Sequence, residues 1–239
     1  SAHAYWSNAL ANCATSISFS SASPVQSNSI SPQQAYQASL KLKELNPTAL
    51  SLAASSVGVS TFVFLLSLFV QQIASLSSQP DFNIATLCAG QLTSGMLNLV
   101  GNCTSILPLR FTREAITTDL FNCVDNVFAQ ALSHSDYDLR RLLGDLSVRS
   151  NKCGHALANV CFNYDKLHEI DSSLADCIEY NPFSRHESKW DLFLNITSTS
   201  DGMILTLETN PRIIDRELAE NILIAYSCSV SKYVVDPSA

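Results

Sequence analysis

The sequence predicts a mainly α fold: a disulfide-bonded, multi-helix globular domain around a central hydrophobic helix, with one β-hairpin near residues 190–209. Three observations carry that expectation. Residues 45–80 hold no charge at all, and their centre, residues 62–70, is almost purely apolar. Apolar residues recur three and four apart through most of the chain, the spacing of one helix face. Eight cysteines, Cys13, Cys88, Cys103, Cys123, Cys153, Cys161, Cys177 and Cys228, are spaced widely enough to staple distant elements, and no CxxC pair points to a redox or zinc site.

The uncharged stretch reads as buried core in preference to a membrane span. Ser60, Ser67, Gln71, Ser75 and Ser78 draw a weakly polar stripe along a helix. No Lys or Arg stands at either end as an anchor. Its position, far from the first residue, excludes a signal peptide.

Composition narrows the classes. Charged residues make up 15% of the 239, against about 25% in a typical domain. A net charge of -7 argues against general nucleic-acid binding, which wants a basic face. The first 109 residues carry only Lys41, Lys43, Glu44 and Asp81, so nearly all charge lies from Arg110 onward. The expected organisation is a short N-terminal helix and Ser-rich loop over 1–30, then one helical domain over 31–239.

In order along the chain, Trp6, Leu10 and Cys13 share a face of a helix over 3–13. Ser31-Pro32-Gln33-Gln34 reads as a capping box opening a second helix, with Ala38, Leu42 and Leu45 inward and Asn46-Pro47 as its stop. The central element runs from Thr48 to about Ser77, with a kink predicted at Val57-Gly58-Val59. Ile84, Cys88, Leu92, Met96 and Leu99 predict a helix capped by Asp81 and ended by Gly101. Residues 102–111 read as a loop. Thr112 caps a helix with Ile116, Leu120, Cys123, Val127 and Ala131 inward. Ser135 and Asp138 open another over Leu139, Leu142, Leu143 and Leu146, and the periodicity continues through Cys153, Leu157, Val160, Tyr164, Leu167, Ile170, Leu174 and Cys177. Trp190 to Thr209 then alternates with period two around Asp201-Gly202, which predicts the hairpin. Asn210-Pro211 opens a last helix with Ile214, Leu218, Ile222 and Tyr226 inward and Cys228 as its anchor.

No catalytic, cofactor or metal site is predicted. Cys153, His155 and Cys161 have metal-binding chemistry, but on a helix the first two point about 200° apart, and the two cysteines lie about 12 Å apart along the axis. His134 with Asp136 and Asp138 reads as a helix start. His168-Glu169 and His186-Glu187 read as solvated pairs, and neither a Gly-x-Ser-x-Gly elbow nor a phosphate loop is present. Asn102 and Asn195 head glycosylation sequons.

These features predict a secreted, extracellular glycoprotein that is not an enzyme. Its expected role is extracellular assembly or self-association as a homo-oligomer, since a neutral surface offers little repulsion. The alternative is carriage of a small apolar, lipid-like molecule in a pocket lined by Phe62, Phe64, Leu65 and Phe69.

Overall fold

A computed structural model of the protein describes residues 2–19, 35–43, 45–89, 100–101, 103–137, 139–145, 157–166, 188–199 and 202–235. Its elements follow in chain order: α1 Ala2–Ala9, β1 Tyr36–Leu42, α2 Pro47–Ser56, α3 Thr61–Leu76, β2 Asp81–Ala89, β3 Thr104–Thr112, α4 Arg113–Thr118, α5 Leu120–Ser133, α6 Leu139–Asp145, β4 Val160–Lys166, β5 Leu192–Thr199, β6 Gly202–Thr209 and α7 Arg216–Val235. Six strands hydrogen-bond in the order β1-β6-β5-β4-β2-β3. The fold is therefore mixed α/β, and the expectation of a mainly α domain is corrected.

The chain divides into two compact units: residues 1–20 with 69–162, and residues 21–68 with 163–239. In the first unit β2 lies between β3 and β4. It pairs antiparallel with β3, from Asp81 opposite Thr112 to Ala89 opposite Thr104. It pairs parallel with β4 at Ala85–Cys161 and Thr86–Phe162. Phe82, Asn83, Ile84, Ala85 and Thr86 are all buried, so both faces of β2 are covered. Such a strand reads as a nearly continuous apolar run, and Ile84 and Cys88 fit helical and strand periods equally. That is how β2 passed for a helix. β3, expected as a loop because of Pro108, sits at the end of the strand order, where a residue without an N–H costs no ladder bond. Phe69 and Phe162 meet with ring centroids 5.5 Å apart.

The helix foreseen after Thr112 is two helices. Thr112 caps α4, and Asp119 interrupts the run and caps α5 through Asn122 N. Buried asparagines tie the N-terminal segment down. Asn159 Oδ1 accepts from Ile17 N at 2.7 Å, and its amide donates to Ile17 O at 3.0 Å. The Asn83 amide donates to Ala14 O and Leu157 O. Arg110 binds the Asp81 carboxylate and also the carbonyls of Ala9 and Ala11, closing the end of α1.

The second unit holds the predicted hairpin: β5 and β6 pair from Leu192 opposite Thr209 to Thr199 opposite Gly202. Gly202 has φ +141, a backbone that favours glycine. β1 pairs with the far side of β6, from Tyr36 opposite Thr209 to Leu42 opposite Met203. The expected helix there is corrected. Ala38, Leu40 and Leu42 are half-buried while Ser39 and Lys41 are exposed, which is period two. Asn46-Pro47 starts α2 instead of stopping a helix: Asn46 accepts from Ala49 N at 2.9 Å, and Pro47 takes the first helical position.

The break at Gly58 is as foreseen: α2 and α3 meet at 74°, and Gly58 has φ +77. Residues 63–70 of α3 are buried on every side, as a helix apolar all round should be. Ser67 satisfies its hydroxyl on Val63 O at 2.7 Å. No single described helix is long and apolar enough to cross a membrane. On α7 the inward residues are Ala219, Ile222, Leu223, Tyr226 and Val230. The helix opens at Arg216 behind an Asp215 cap, later than the Asn210-Pro211 start expected.

The expected disulfides are also corrected. Cys13, Cys88, Cys103, Cys123, Cys161 and Cys228 are all free, and Cys161 is fully buried inside β4, where it packs as a small hydrophobe. Cys153 and Cys177 lie outside the described residues, as do Asn102, the capping box at 31–34, Asp138, His155, His168, His186, Asp201, the 90–99 half of the expected helix and the helical segment over 167–177.

Candidate functional site

The expected pocket residues are core. Phe64, Leu65 and Phe69 have no exposed surface, and Phe64 packs edge-on to Tyr233 at 5.9 Å between centroids. Phe62 is half-buried at the start of α3. Asn195 is half-buried in β5. Its oxygen accepts from Asn163 at 2.8 Å, and its amide faces Thr197 at 3.3 Å.

A different concavity lies in the first unit. It has a volume of about 480 Å³ and is lined by residues 104–108 of β3, Trp6 of α1, His134, Ser135 and Tyr137 after α5, and Leu142 of α6. Each wall has a local cause. Trp6 is drawn inward on the buried face of α1, and its indole N–H donates to His134 O at 2.9 Å. His134 closes α5 as its C-cap, donating its backbone N–H to Ala131 O. The sequence reading had placed His134 at a helix start.

The His134 imidazole is held in one tautomer. Its Nδ1 lies 2.8 Å from the Gln130 carbonyl oxygen. A carbonyl only accepts, so Nδ1 carries a hydrogen and donates it to that oxygen. Tyr5 stacks on the ring at 4.2 Å and 9°. Burial raises the Tyr5 phenol above its ordinary pKa, which keeps it neutral. His3 Nδ1 meets the Tyr137 hydroxyl at 2.6 Å. Behind the strand, burial pushes the Cys88 thiol up, and the Ser105 hydroxyl across the ladder offsets part of that rise.

The cavity is thus partly aromatic. None of its lining residues is an acid, a lysine or an arginine. No group of three or more His, Cys, Asp or Glu placed to hold a metal ion occurs among the described residues. The arrangement suits an uncharged, partly apolar occupant. Sequence reasoning missed it, because Trp6, the strand at 104–108 and the corner at 134–142 are distant in the chain.

The chain matches the Condensation domain family over residues 1–238, and it belongs to that family. It is 25% identical over 175 residues to surfactin synthase subunit 1 of Bacillus subtilis (strain 168), a match covering 72% of this chain and 5% of that protein. Solved structures share the fold, and two of them illustrate it. One is the condensation domain from the monacolin K polyketide synthase MokA, with TM-score 0.76, 15% identity and coverage of 99% of this chain and 57% of that one. The other is holo-AB3403, a four-domain nonribosomal peptide synthetase bound to AMP and glycine, with TM-score 0.80, 19% identity and coverage of 100% and 19%.

These relationships correct the functional expectations. Condensation domains are enzymatic modules of peptide-synthetase machinery, which overturns the non-enzymatic assembly role and the lipid-carrier alternative. The expectations of a secreted, extracellular glycoprotein with extracellular partners fall on the same family membership.

Proposed function

We propose that the chain acts as part of a condensation domain within a multidomain peptide synthetase. The reaction class is acyl transfer to nitrogen. An amine attacks an activated acyl carbon, the bond from that carbon to its carrier breaks, and the amine proton leaves with the departing group. Its partners on this reading are adjacent adenylation and thiolation domains. The observation that carries the proposal is the family match over residues 1–238. The chain spans only 5% of the surfactin synthase subunit, so substrates and neighbours belong to the proposal.

Mass spectrometry of carrier-bound intermediates in the full-length natural protein tests it. Joined acyl–aminoacyl product is expected in the intact protein and not after removal of residues 1–239, with ATP–pyrophosphate exchange unchanged as the control for adenylation. Joined product at the same rate without residues 1–239 would overturn the reading.

A further inference from the structure

Residues 11–18 cross the first unit as a strap whose main chain is held by side chains. Arg110 donates to Ala11 O at 2.9 Å, and the Asn83 amide donates to Ala14 O at 3.2 Å. Gln79 makes two such bonds, donating to Ser16 O at 3.2 Å and accepting from Ser18 N at 2.8 Å. Asn159 makes two more, one to each main-chain group of Ile17. Among the described residues, Ala14 to Ile17 form no main-chain to main-chain bond. Both ends of the strap are defined. Asn12, at φ +54, turns the chain out of α1 in a conformation that asparagine tolerates. At the far end Phe19 bridges to Ser77.

Little apolar surface keeps the strap down. Ile17, 3% exposed, is the one side chain of residues 11–18 that is fully buried. When a segment lifts, its bonds to side chains are exchanged for bonds to water, so each contributes little net stability. The closed strap also leaves a defect beneath it. Asn83 Nδ2 serves Cys13 Sγ at 3.1 Å, Ala14 O and Leu157 O, while the buried Oδ1 of the same side chain meets no hydrogen-bond partner. A buried acceptor of that kind costs free energy that contact with water restores. The β2–β3 ladder is held differently. It pairs continuously from Asp81 to Ala89, and β2 is covered on both faces, so it opens only with the core.

We propose that residues 11–18 are a latch that lifts as one piece while the β2–β3 ladder stays paired, and that Gln79, Asn83, Arg110 and Asn159 set how often it lifts. Lifting hydrates Asn83 Oδ1 and frees the Cys13 thiol from the Asn83 amide. The hold is on main-chain atoms, so closure depends more on those four side chains than on the side chains of the strap itself.

Amide hydrogen exchange of the unsubstituted protein, repeated in urea below its unfolding midpoint, tests the proposal without a variant. The Ile17 amide, bonded to Asn159, should be protected, yet exchange at least about tenfold faster than the β2–β3 ladder amides. Its rate should hardly respond to urea, because lifting exposes little surface, while the ladder amides accelerate steeply. Gln79→Ala removes two of the holds at a half-buried position. It should speed Ile17 exchange about tenfold and leave the ladder amides unchanged. Alkylation of Cys13 should quicken with it, while the fully buried Cys161 stays unreactive. An Ile17 amide that exchanges at the ladder's rate with the ladder's urea dependence would overturn the proposal. So would an unprotected Ile17 amide, or a Gln79→Ala variant in which strap and ladder accelerate equally. None of these readouts requires condensation activity.

Discussion

The Tyr226 hydroxyl donates a 2.9 Å hydrogen bond to the main-chain carbonyl of Leu65, fastening α7 to α3 in the interior of the second unit. Tyr226 is 1% exposed and Leu65 not exposed at all, so no water competes for the bond. Tyr226→Phe keeps the ring and removes the donor. A loss of about 1 kcal/mol in urea unfolding is expected. An unchanged midpoint would show that the bond contributes nothing.

The same phenol makes stability depend on alkaline pH. Burial holds its pKa well above the ordinary 10.0. Below about pH 10 folded and unfolded chains both keep the proton, and the contribution is complete. Above that, the unfolded chain loses the proton first, so stability falls as pH rises toward the folded value. Urea midpoints compared between about pH 8 and pH 11 should fall more steeply for the natural sequence than for Tyr226→Phe. Equal slopes would refute this.

Arg110 and Asp81 pair in the first unit with both side chains about three-quarters covered, at 28% and 26% exposure. The carboxylate bond is the main reason that the Arg110 guanidinium holds its proton more tightly than usual. Asp81→Asn should cost about 2 kcal/mol, the scale of a charge-assisted hydrogen bond. Thermal melting reads the loss, and faster proteolysis after α1 should accompany it, because Arg110 also holds the Ala9 and Ala11 carbonyls.

Two glycines should respond unequally to alanine. At Gly202 a Cβ would collide with the Leu42 carbonyl and lie 2.9 Å from Lys43 Cα, on a backbone at φ +141. At Gly58 a Cβ would meet nothing within 4 Å, and only the left-handed backbone at φ +77 resists. Gly58→Ala should cost about 1–2 kcal/mol, and Gly202→Ala clearly more. Denaturant midpoints that rank them the other way would contradict the hairpin geometry.

Thiol labelling checks the cysteines. Cys228 is exposed and should alkylate first in the native protein. Cys161 should react only on unfolding, because burial both hides its thiol and raises its pKa. Peptide mapping without reductant should find all six described cysteines alkylated. A disulfide among them would contradict the free thiols of the structure.

The hairpin was legible because Leu192, Leu194 and Ile196 recur with period two before a turn pair, though Phe193 blurs the alternation, and the helix break because Gly58 interrupts an apolar run. β1 and β2 were not. Ala38 and Leu42, like Ile84 and Cys88, lie four apart, a distance that is two strand repeats as well as one helical turn. What decides between them is the partner strand, far away in sequence. The cysteines misled for a related reason: even number and wide spacing describe staples and buried thiols alike. The cavity had no sequence signature, since Trp6, residues 104–108 and His134 lie far apart in the chain.

The pairing of β1 with β6 has a consequence for synthesis. Tyr36 leaves the ribosome well before its ladder partner Thr209. Until then β1 lacks the one strand it pairs with among the described residues, and it is followed by the uncharged α2 and α3, whose apolar surface has α7 still to come. The nascent chain must therefore keep its stickiest segment from self-association until the β6 residues have been made. Slowed elongation before residue 209 should lower soluble yield more than the same delay placed after it.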